Sequence, residues 1–263
     1  MKSRIITALL IIGILLPIIY ISPLAFKICA VIIVLLGTHE LLEVKKDKQY
    51  SMITHILVYL INTVPMIIIP NFLETNVIVY GVILLLFFML MIFDKNVDFV
   101  EMSYLFTFSL FIVISSNSAV FLRDLDNGFF VLVFIIITTA AGDTGAFFAG
   151  TFLGKHKLIE RISPKKTIEG FIGGLALALI VGVTLNYITP VGLPSIWIAA
   201  LVSLMLGLFA ALGDLFFSSI KRTYQIKDFS NILPGHGGIL DRVDSHLTNM
   251  IVYLVLILIL GVI

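Results

Sequence analysis

The sequence predicts an all-α, polytopic integral membrane protein, and three observations support that prediction. Hydrophobic residues make up 60% of the 263 positions and charged residues only 13%, with a mean hydropathy of +1.14. Such a chain has too few polar side chains to cover the surface of a soluble globule. Apolar runs close to the ~20 residues that span the hydrocarbon of a bilayer recur along the whole length. Most charged residues lie between those runs.

Nine apolar runs are candidate transmembrane helices. They lie at about residues 5–21, 23–38, 52–69, 77–93, 103–120, 128–149, 168–189, 195–217 and 246–263. The first run follows Lys2 and Arg4 as the apolar core of a signal peptide would, but no small-x-small cleavage site follows it, so we expect a retained helix. Little more than Ser22-Pro23 separates it from the second run, which predicts a tight helical hairpin.

The distribution of Lys and Arg predicts the orientation in the membrane. With nine spans, the N-terminus lies on the same side as the loops after the second, fourth, sixth and eighth helices. That side carries fifteen of the Lys and Arg residues, whereas the other side carries only Lys27 and Arg123. Because cytoplasmic loops are enriched in these residues, the N-terminus is predicted to be cytoplasmic and the C-terminus outside.

Residues 1–125, which hold the first five predicted helices, carry little recognisable chemistry. His39-Glu40 begins the segment HELLE, but no second His follows at the spacing of a zinc motif, so these two residues are predicted to form a helix end that meets water. The charged segments 43–49 and 94–101 are predicted to be surface loops. Residues 126–263, with helices six to nine, are therefore predicted to hold the functional residues.

Two Asp residues lie inside apolar runs of that region. Asp143 lies near the end of the sixth run, and Asp214 lies about two turns before Lys221 in the eighth. An ionisable side chain at membrane depth is costly, so both are candidate functional residues facing a polar cavity. For Asp143, a helix-end carboxylate that reaches the membrane surface is the alternative.

The segment SPKKTIEG, which starts at Ser163, predicts the beginning of a helix. Ser163 or Thr167 can cap it, and Pro164 suits its first turn. Glu169 is favoured near the positive end of the helix dipole. The same N-terminus would attract an anion, because it carries two lysines, Lys165 and Lys166.

Residues 218–244 combine the groups that bind phosphates and a divalent cation. The basic residues can neutralise phosphate oxygens, and the glycines let the backbone approach a ligand closely. The carboxylates are hard oxygen ligands of the kind that Mg²⁺ prefers, and Asp241 and Asp244 share a helix face if the following helix has begun there. The alternative is a solvated basic loop at the membrane surface. The residues are Lys221, Arg222, Lys227 and Arg242; Gly235, Gly237 and Gly238; and Asp228, Asp241 and Asp244.

The same segment resembles the signature of the phosphatidate cytidylyltransferases, also called CDP-diacylglycerol synthases. Sixteen specified positions match at fixed spacing: Ser218, Ile220, Lys221, Arg222, Lys227, Asp228, Ser230, Leu233, Pro234, His236, Gly237, Gly238, Asp241, Arg242, Val243 and Asp244. The element SPKKTIEG is similar to a second part of that family. Asp143, with Gly145, Ala146 and Phe147, is similar to a third.

The resemblance implies a membrane enzyme that joins CTP to phosphatidate, releasing pyrophosphate, with Mg²⁺ as cofactor and with residues 126–263 as its catalytic region. It implies that Asp214 and Asp241 bind the metal and that these two residues and Lys221 are catalytic. The alternative pairs Asp214 with Lys221 and leaves Asp241 bonded to Arg242 or to loop amides. The implied substrate-binding residues are Asp143, Lys165, Lys166, Thr167, Glu169, Ser218, Arg222, Lys227, Asp228, His236, Gly237, Gly238, Arg242 and Asp244.

For His236, a purely structural role that holds the Gly-Gly loop is the alternative to a phosphate contact. The expected partners are CTP, phosphatidate and the bilayer, with no nucleic acid, and a homo-oligomer is left open. A polar funnel open to the cytoplasm is predicted from the ends of helices six to nine. Two rival classes are a secondary transporter, which the lack of internal repeats disfavours, and a CTP-dependent lipid kinase.

Overall fold

The structure is a computed structural model that describes residues 17–45, 50–68, 72–232 and 237–262, with the backbone alone for residues 72–77. Residues 17–21 are helical, and eight helices and two short strands follow within the described residues. They are α1 (Pro23–Glu43), α2 (Met52–Ile68), α3 (Phe72–Phe93), α4 (Phe99–Asp124), α5 (Gly128–Leu153), β1 (Lys157–Ile159), β2 (Ser163–Thr167), α6 (Ile168–Ile188), α7 (Ile196–Thr223) and α8 (Leu240–Ile259).

Six of the described helices, α1 and α4 to α8, are long and apolar enough to cross a membrane. The helix α2 and residues 78–93 of α3 are apolar but shorter. Apart from one two-stranded hairpin, the described chain is helical, so the predicted all-α membrane protein is confirmed. The nine spans, their orientation and the polar funnel stay predictions.

The second to ninth predicted runs coincide with α1 to α8, but several helices extend into polar sequence. α1 ends at Glu43 rather than at residue 38, and α7 ends at Thr223 rather than at residue 217. α8 begins at Leu240, six residues before its apolar run. A hydropathy run stops at the first charged residues, whereas helical hydrogen bonding continues until the backbone is capped. The first predicted run lies mostly outside the described residues.

The chain folds into two compact units. The first comprises Met1–Phe121 together with Asp228–Asp241, and the second comprises Leu122–Lys227 together with Arg242–Ile263. A division after residue 125, as the sequence predicts, stays a prediction. The segment 228–241 lies within the half of the chain predicted to be catalytic, yet it packs as part of the first unit.

Polar bonds fix the helices of the first unit. Ser22 caps α1, because its hydroxyl accepts a hydrogen bond from Ala25 N at 3.0 Å. The amide of Asn62 on α2 donates to the hydroxyl of Thr38 on α1 at 2.9 Å. The Tyr104 hydroxyl on α4 donates to the Leu41 carbonyl oxygen at 3.1 Å.

Asp94 follows α3 and is buried rather than exposed, so the surface-loop prediction is wrong for this residue. Its carboxylate accepts hydrogen bonds from the Ser51 N–H at 3.2 Å, from the Thr54 hydroxyl and from the Asn96 N–H at 2.9 Å. Burial alone would raise the pKa of Asp94, but the hydrogen bonds outweigh burial and lower the pKa to about 2.

Glu101 is the second residue for which the surface-loop prediction is wrong, because its side chain is 4% exposed. It pairs with the Lys45 ammonium at 2.5 Å and accepts a hydrogen bond from the Tyr50 hydroxyl at 2.7 Å. The Lys45 ammonium also lies 5.0 Å from the centre of the Tyr104 ring. A carboxylate desolvated to this degree requires such partners.

The second unit rests on a glycine-lined contact between α5 and α6. A β-carbon at Gly170 would lie 2.8 Å from the Ala146 carbonyl oxygen, and one at Gly174 would lie 2.8 Å from that of Gly142. The backbones of α5 and α6 therefore approach to a distance that larger side chains would prevent.

The hairpin of β1 and β2 joins α5 to α6, and it corrects the predicted helix start. Pro164 lies in strand β2 and not in a first helical turn. The helix begins at Ile168 with Thr167 as its cap, because the Thr167 hydroxyl accepts a hydrogen bond from Gly170 N at 3.1 Å. Of the two predicted caps, Thr167 is confirmed and Ser163 is wrong. Residues 163–167 pair with β1, which holds them extended.

Candidate active site

Charged residues of the second unit interact around the Asp214 carboxylate. Asp214 lies on α7, Asp143 on α5 and Asp244 on α8, and Lys166 lies on strand β2 just before α6. These four elements bring together residues that are up to about a hundred positions apart in the sequence. The cluster thus combines carboxylates with ammonium groups at the ends of the helices predicted to carry the chemistry.

The ion pair between Lys166 and Asp214 is the best-defined contact of this cluster. The Lys166 ammonium lies 2.8 Å from Asp214 Oδ2, with side-chain exposures of 25% and 35%. Lys166 also donates to the Ala211 carbonyl oxygen at 3.3 Å, and the Ser218 hydroxyl donates to Asp214 Oδ1 at 3.2 Å. Asp214 is therefore paired with Lys166, a partner that the sequence analysis did not consider.

Asp143 and Asp244 complete the cluster through electrostatic interactions. Asp143 interacts with Asp214 and Lys166. Asp244 interacts with Asp214, Lys221 and Asp143. Asp244 and Lys221 are each 9% exposed, whereas Asp143 is exposed. Three carboxylates and two ammonium groups thus act on one another within one unit of the chain.

Polar contacts hold the α8 part of the cluster against its neighbours. The Ser245 hydroxyl donates to the Ala210 carbonyl oxygen on α7 at 3.2 Å. The Asn249 amide donates to the Thr139 hydroxyl on α5 at 2.7 Å and to the Leu206 carbonyl oxygen at 3.0 Å. These bonds position Asp244, which immediately precedes Ser245 in the chain.

The side chains of Glu169 and Arg222 hydrogen-bond to backbone groups of the second unit. The Glu169 carboxylate accepts hydrogen bonds from the Lys155 and His156 N–H groups at 3.1 and 3.2 Å, and it lies 2.5 Å from His156 Nδ1. The Arg222 guanidinium donates to the carbonyl oxygens of Ile162 and Ile226 at 3.3 and 3.2 Å. Glu169 and Arg222 were both predicted to bind substrate, and in the structure these side chains contact other residues of the chain.

Asp241 belongs to the first unit and lies in the first turn of α8, so the condition for Asp241 and Asp244 to share a helix face is met. Its Oδ2 atom accepts hydrogen bonds from the Phe229 N–H at 2.8 Å and from the Gly238 N–H at 3.0 Å. Bonding to loop amides was the alternative to the metal prediction for this residue. Two backbone donors on one oxygen fix the orientation of the carboxylate.

Gly237 needs the conformational freedom of glycine. Its φ is +83°, and a β-carbon there would lie 3.1 Å from Asp241 Oδ2 and 3.2 Å from the Asp228 side chain. A larger residue would be strained and would press on the Asp241 carboxylate. The close approach of this backbone to a ligand stays a prediction.

Glu40 is a buried polar residue that sequence reasoning missed. The predicted helix end in water is wrong for Glu40, because its exposure is 0%. Its carboxylate accepts hydrogen bonds from the Ser230 hydroxyl and from the N–H groups of Ile239 and Leu240. The signal in the sequence is the pair Leu41-Leu42, which continues the apolar face of α1 beyond the hydropathy run.

The remaining predicted residues divide between the units or lie outside the described residues. Lys165, Lys227, Asp228 and Arg242 are exposed, and His236 lies outside the described residues. Asp214 is in the second unit and Asp241 in the first, so their joint binding of a metal stays a prediction. Within the described residues, no three His, Cys, Asp or Glu side chains form a group that could hold a metal ion.

Comparison with known proteins identifies the family. The cytidylyltransferase family model matches residues 2–260. A phosphatidate cytidylyltransferase of Bacillus subtilis (strain 168) is 34% identical over 257 residues, which cover 94% of each chain. Proteins of the same name from Staphylococcus haemolyticus (strain JCSC1435) and Staphylococcus aureus (strain COL) are 35% and 36% identical, over 93% of this chain and 94% of theirs. This chain therefore belongs to the cytidylyltransferase family.

Proposed function

We propose that the protein is a membrane-bound phosphatidate cytidylyltransferase, which converts CTP and phosphatidate to CDP-diacylglycerol and pyrophosphate. The family match over nearly the whole chain supports this activity, and so do relatives of that name. The observation that carries it is the cluster of Asp214, Lys221 and Asp244, which lie on helices apolar enough to cross a membrane, with Lys166 on the adjoining strand β2. Such a cluster suits a phosphorylated substrate that is held in the bilayer.

The reaction joins a phosphatidate oxygen to the α-phosphorus of CTP. The new P–O bond forms as the bond between the α-phosphorus and the bridging oxygen breaks, and pyrophosphate leaves with the electron pair. A phosphomonoester has its second pKa near ~6, so its oxygen is already a nucleophile at neutral pH. No general base is required, and catalysis rests on alignment of the substrates and neutralisation of their charge.

The cationic side chains would neutralise the phosphates of both substrates. Lys166 and Lys221 are the best placed, because both interact with the carboxylates of the cluster. When phosphate oxygens enter, these ammonium groups can exchange a carboxylate partner for a phosphate partner at little electrostatic cost. Further phosphate contacts are proposed for the remaining predicted basic residues, Lys165, Arg222, Lys227 and Arg242.

The carboxylates fit a magnesium ion that is shared with substrate. Mg²⁺ prefers hard oxygen donors and commonly takes only one or two carboxylates, with phosphate oxygens and water completing its shell. Asp214 and Asp241 are the proposed ligands, and Asp143 with Asp244 are the next pair to test. When bound, the ion would supply positive charge beside the CTP phosphates. The protein fixes its proposed ligands through Ser218, which donates to Asp214, and through the loop amides that hold Asp241.

The proposed topology has nine spans with the N-terminus and the charged loops in the cytoplasm, where CTP is found, and the C-terminus outside. The bias in Lys and Arg supports this orientation. A polar funnel at the ends of α5 to α8 would admit CTP from the cytoplasm and phosphatidate from the bilayer. A homo-oligomer is compatible with this arrangement. Labelling of single cysteines introduced at Lys227 and at Gly261 in intact cells tests it, because only the second should react with an impermeant reagent.

Product analysis tests the reaction. Purified full-length protein in detergent is mixed with CTP, phosphatidate and Mg²⁺, and the nucleotide and lipid products are separated. We expect pyrophosphate and a liponucleotide in equal amounts. Release of CDP with a phosphorylated lipid would identify a CTP-dependent kinase. If neither set of products forms, a transporter becomes the candidate. A Lys221→Gln variant that purifies normally controls for a contaminating activity.

A further inference from the structure

We propose that Glu40 on α1 is a positioning residue that fixes the segment 237–241 and thereby the Asp241 carboxylate for the reaction. This inference rests on the proposed function, because it assigns the N-terminal helices a part in that activity. Glu40 and the segment 228–241 belong to the same compact unit. The bonds between them join residues that are 190 to 200 positions apart in the sequence.

Glu40 is a buried carboxylate, and both of its oxygens accept hydrogen bonds. Oε1 accepts the Ser230 hydroxyl at 2.6 Å and the Ile239 N–H at 2.7 Å. Oε2 accepts the Leu240 N–H at 2.8 Å. A carboxylate with no exposure to water is stable only with several such donors, and bonds to a charged acceptor are stronger than those between neutral groups.

Two of these donors are N–H groups at the start of α8. The first N–H groups of a helix have no partner within the helix, and the side chain of the N-cap residue commonly accepts a hydrogen bond from one of them, two or three residues further on. Here the acceptor comes from α1, so a carboxylate distant in sequence serves as the cap. A negative charge at this end is also favoured by the helix dipole. The first turn of α8 is therefore held by Glu40.

Gly238 links Glu40 to Asp241. Its N–H donates to Asp241 Oδ2 at 3.0 Å, and a β-carbon on it would lie 2.6 Å from Glu40 Oε1. Glu40 thus contacts Gly238 on one side and bonds to Ile239 and Leu240, the two residues that precede Asp241. A shift of Glu40 would move the backbone that carries Asp241 and one of its two amide donors.

The experiment compares four variants of the full-length protein. Glu40→Gln keeps the shape of the side chain but replaces one acceptor oxygen with an NH₂ group that faces an N–H donor. Glu40→Asp keeps the charge, but its side chain is one methylene shorter, so the carboxylate lies further from its donors. Ser230→Ala removes one donor and leaves the buried carboxylate in place. Glu43→Gln is the matched control, because Glu43 lies three residues further along α1 and is exposed.

Two measurements distinguish positioning from simple structural support. Steady-state kinetics should show kcat/KM for CTP reduced ~10–100-fold in Glu40→Gln, with a higher Mg²⁺ concentration for half-maximal rate, as when a residue that orients a metal ligand is changed. Glu40→Asp should recover part of this loss, and Glu43→Gln should match wild type. Hydrogen exchange by mass spectrometry should be faster in peptides covering 237–241 of Glu40→Gln.

The outcomes separate this proposal from the proposed function. If wild type makes no pyrophosphate, the reaction is wrong, but the exchange measurement still tests the contact. If Glu40→Gln shows only a lower active fraction, with wild-type KM for CTP and wild-type Mg²⁺ dependence, the positioning role is overturned. If the Glu40 variants do not fold, Ser230→Ala decides: a KM for CTP raised about 2–5-fold with faster exchange supports the proposal, and wild-type values for both overturn it.

Discussion

Lys166→Gln tests whether the Lys166–Asp214 pair serves catalysis or stability. The two groups are 2.8 Å apart, but their exposures of 25% and 35% leave them in contact with solvent. Exposed ion pairs contribute about 0.2–1 kcal/mol to stability, so the thermal midpoint should fall by no more than about 4 °C. If Lys166 instead neutralises charge that develops on a phosphate, its loss should reduce kcat/KM by about 10²–10³, or 2.7–4 kcal/mol.

The assay is pyrophosphate release from CTP and phosphatidate, with thermal unfolding measured on the same preparation. Lys95→Gln is the matched control, because Lys95 is exposed in the loop after α3 and should match wild type in both measurements. A Lys166→Gln protein with kcat/KM within about twofold of wild type would refute the assignment, since surface substitutions commonly change energies by less than about 0.5 kcal/mol. A large fall in the thermal midpoint alone would indicate a structural role.

Three further predictions test other parts of the structure. Asp214→Asn and Asp241→Asn should each leave a folded membrane protein with little turnover and a raised Mg²⁺ requirement, and near-normal activity in both would move the metal site elsewhere. Gly145→Ala should reduce the yield of folded protein on size-exclusion chromatography, because the new β-carbon would lie 2.6 Å from the Gly173 carbonyl oxygen, and overpacking of this kind costs ~1–3 kcal/mol. Gly81→Ala is the control, because a β-carbon at Gly81 would meet no neighbouring group within 4 Å. Asp94 has a pKa lowered from 3.8 to about 2, so its contribution to stability is present above about pH 4 and is lost as the pH falls towards 2. Asp94→Asn should therefore lower the thermal midpoint at pH 7, with a difference from wild type that narrows below pH 4; a constant difference would contradict this.

The sequence was sufficient for the helices because their signal is local. Each apolar run from the second to the ninth corresponds to a helix, since a run of that length has few other ways to satisfy its backbone in a membrane. The errors lie at the polar ends. SPKKT resembles a helix start in composition, but pairing with residues 157–159 makes it a strand, and no pattern within the five residues indicates that partner.

The candidate site was predictable in residue type but not in pairing. Fixed spacing within residues 218–244 identified the family, which the comparisons confirm, and Asp214 and Asp143 stood out as carboxylates in apolar runs. The alternative to metal binding paired Asp214 with Lys221 from their spacing along one helix, whereas the structure pairs Asp214 with Lys166 from strand β2. Helical periodicity orders neighbours on one element, and it carries no information about which other element packs there.

Glu40, Asp94 and Glu101 show why buried carboxylates were mistaken for surface residues. A carboxylate at the end of an apolar run has the same sequence pattern whether it meets water or a buried set of donors. The two cases differ in the donors, and for Glu40 these come from a segment about 190–200 residues away. Because a carboxylate buried without donors would cost several kcal/mol, each such residue ties its helix to the segment that supplies them. Glu40 on α1 thus ties the N-terminal helices to the start of α8, even though few residues of those helices carry recognisable chemistry.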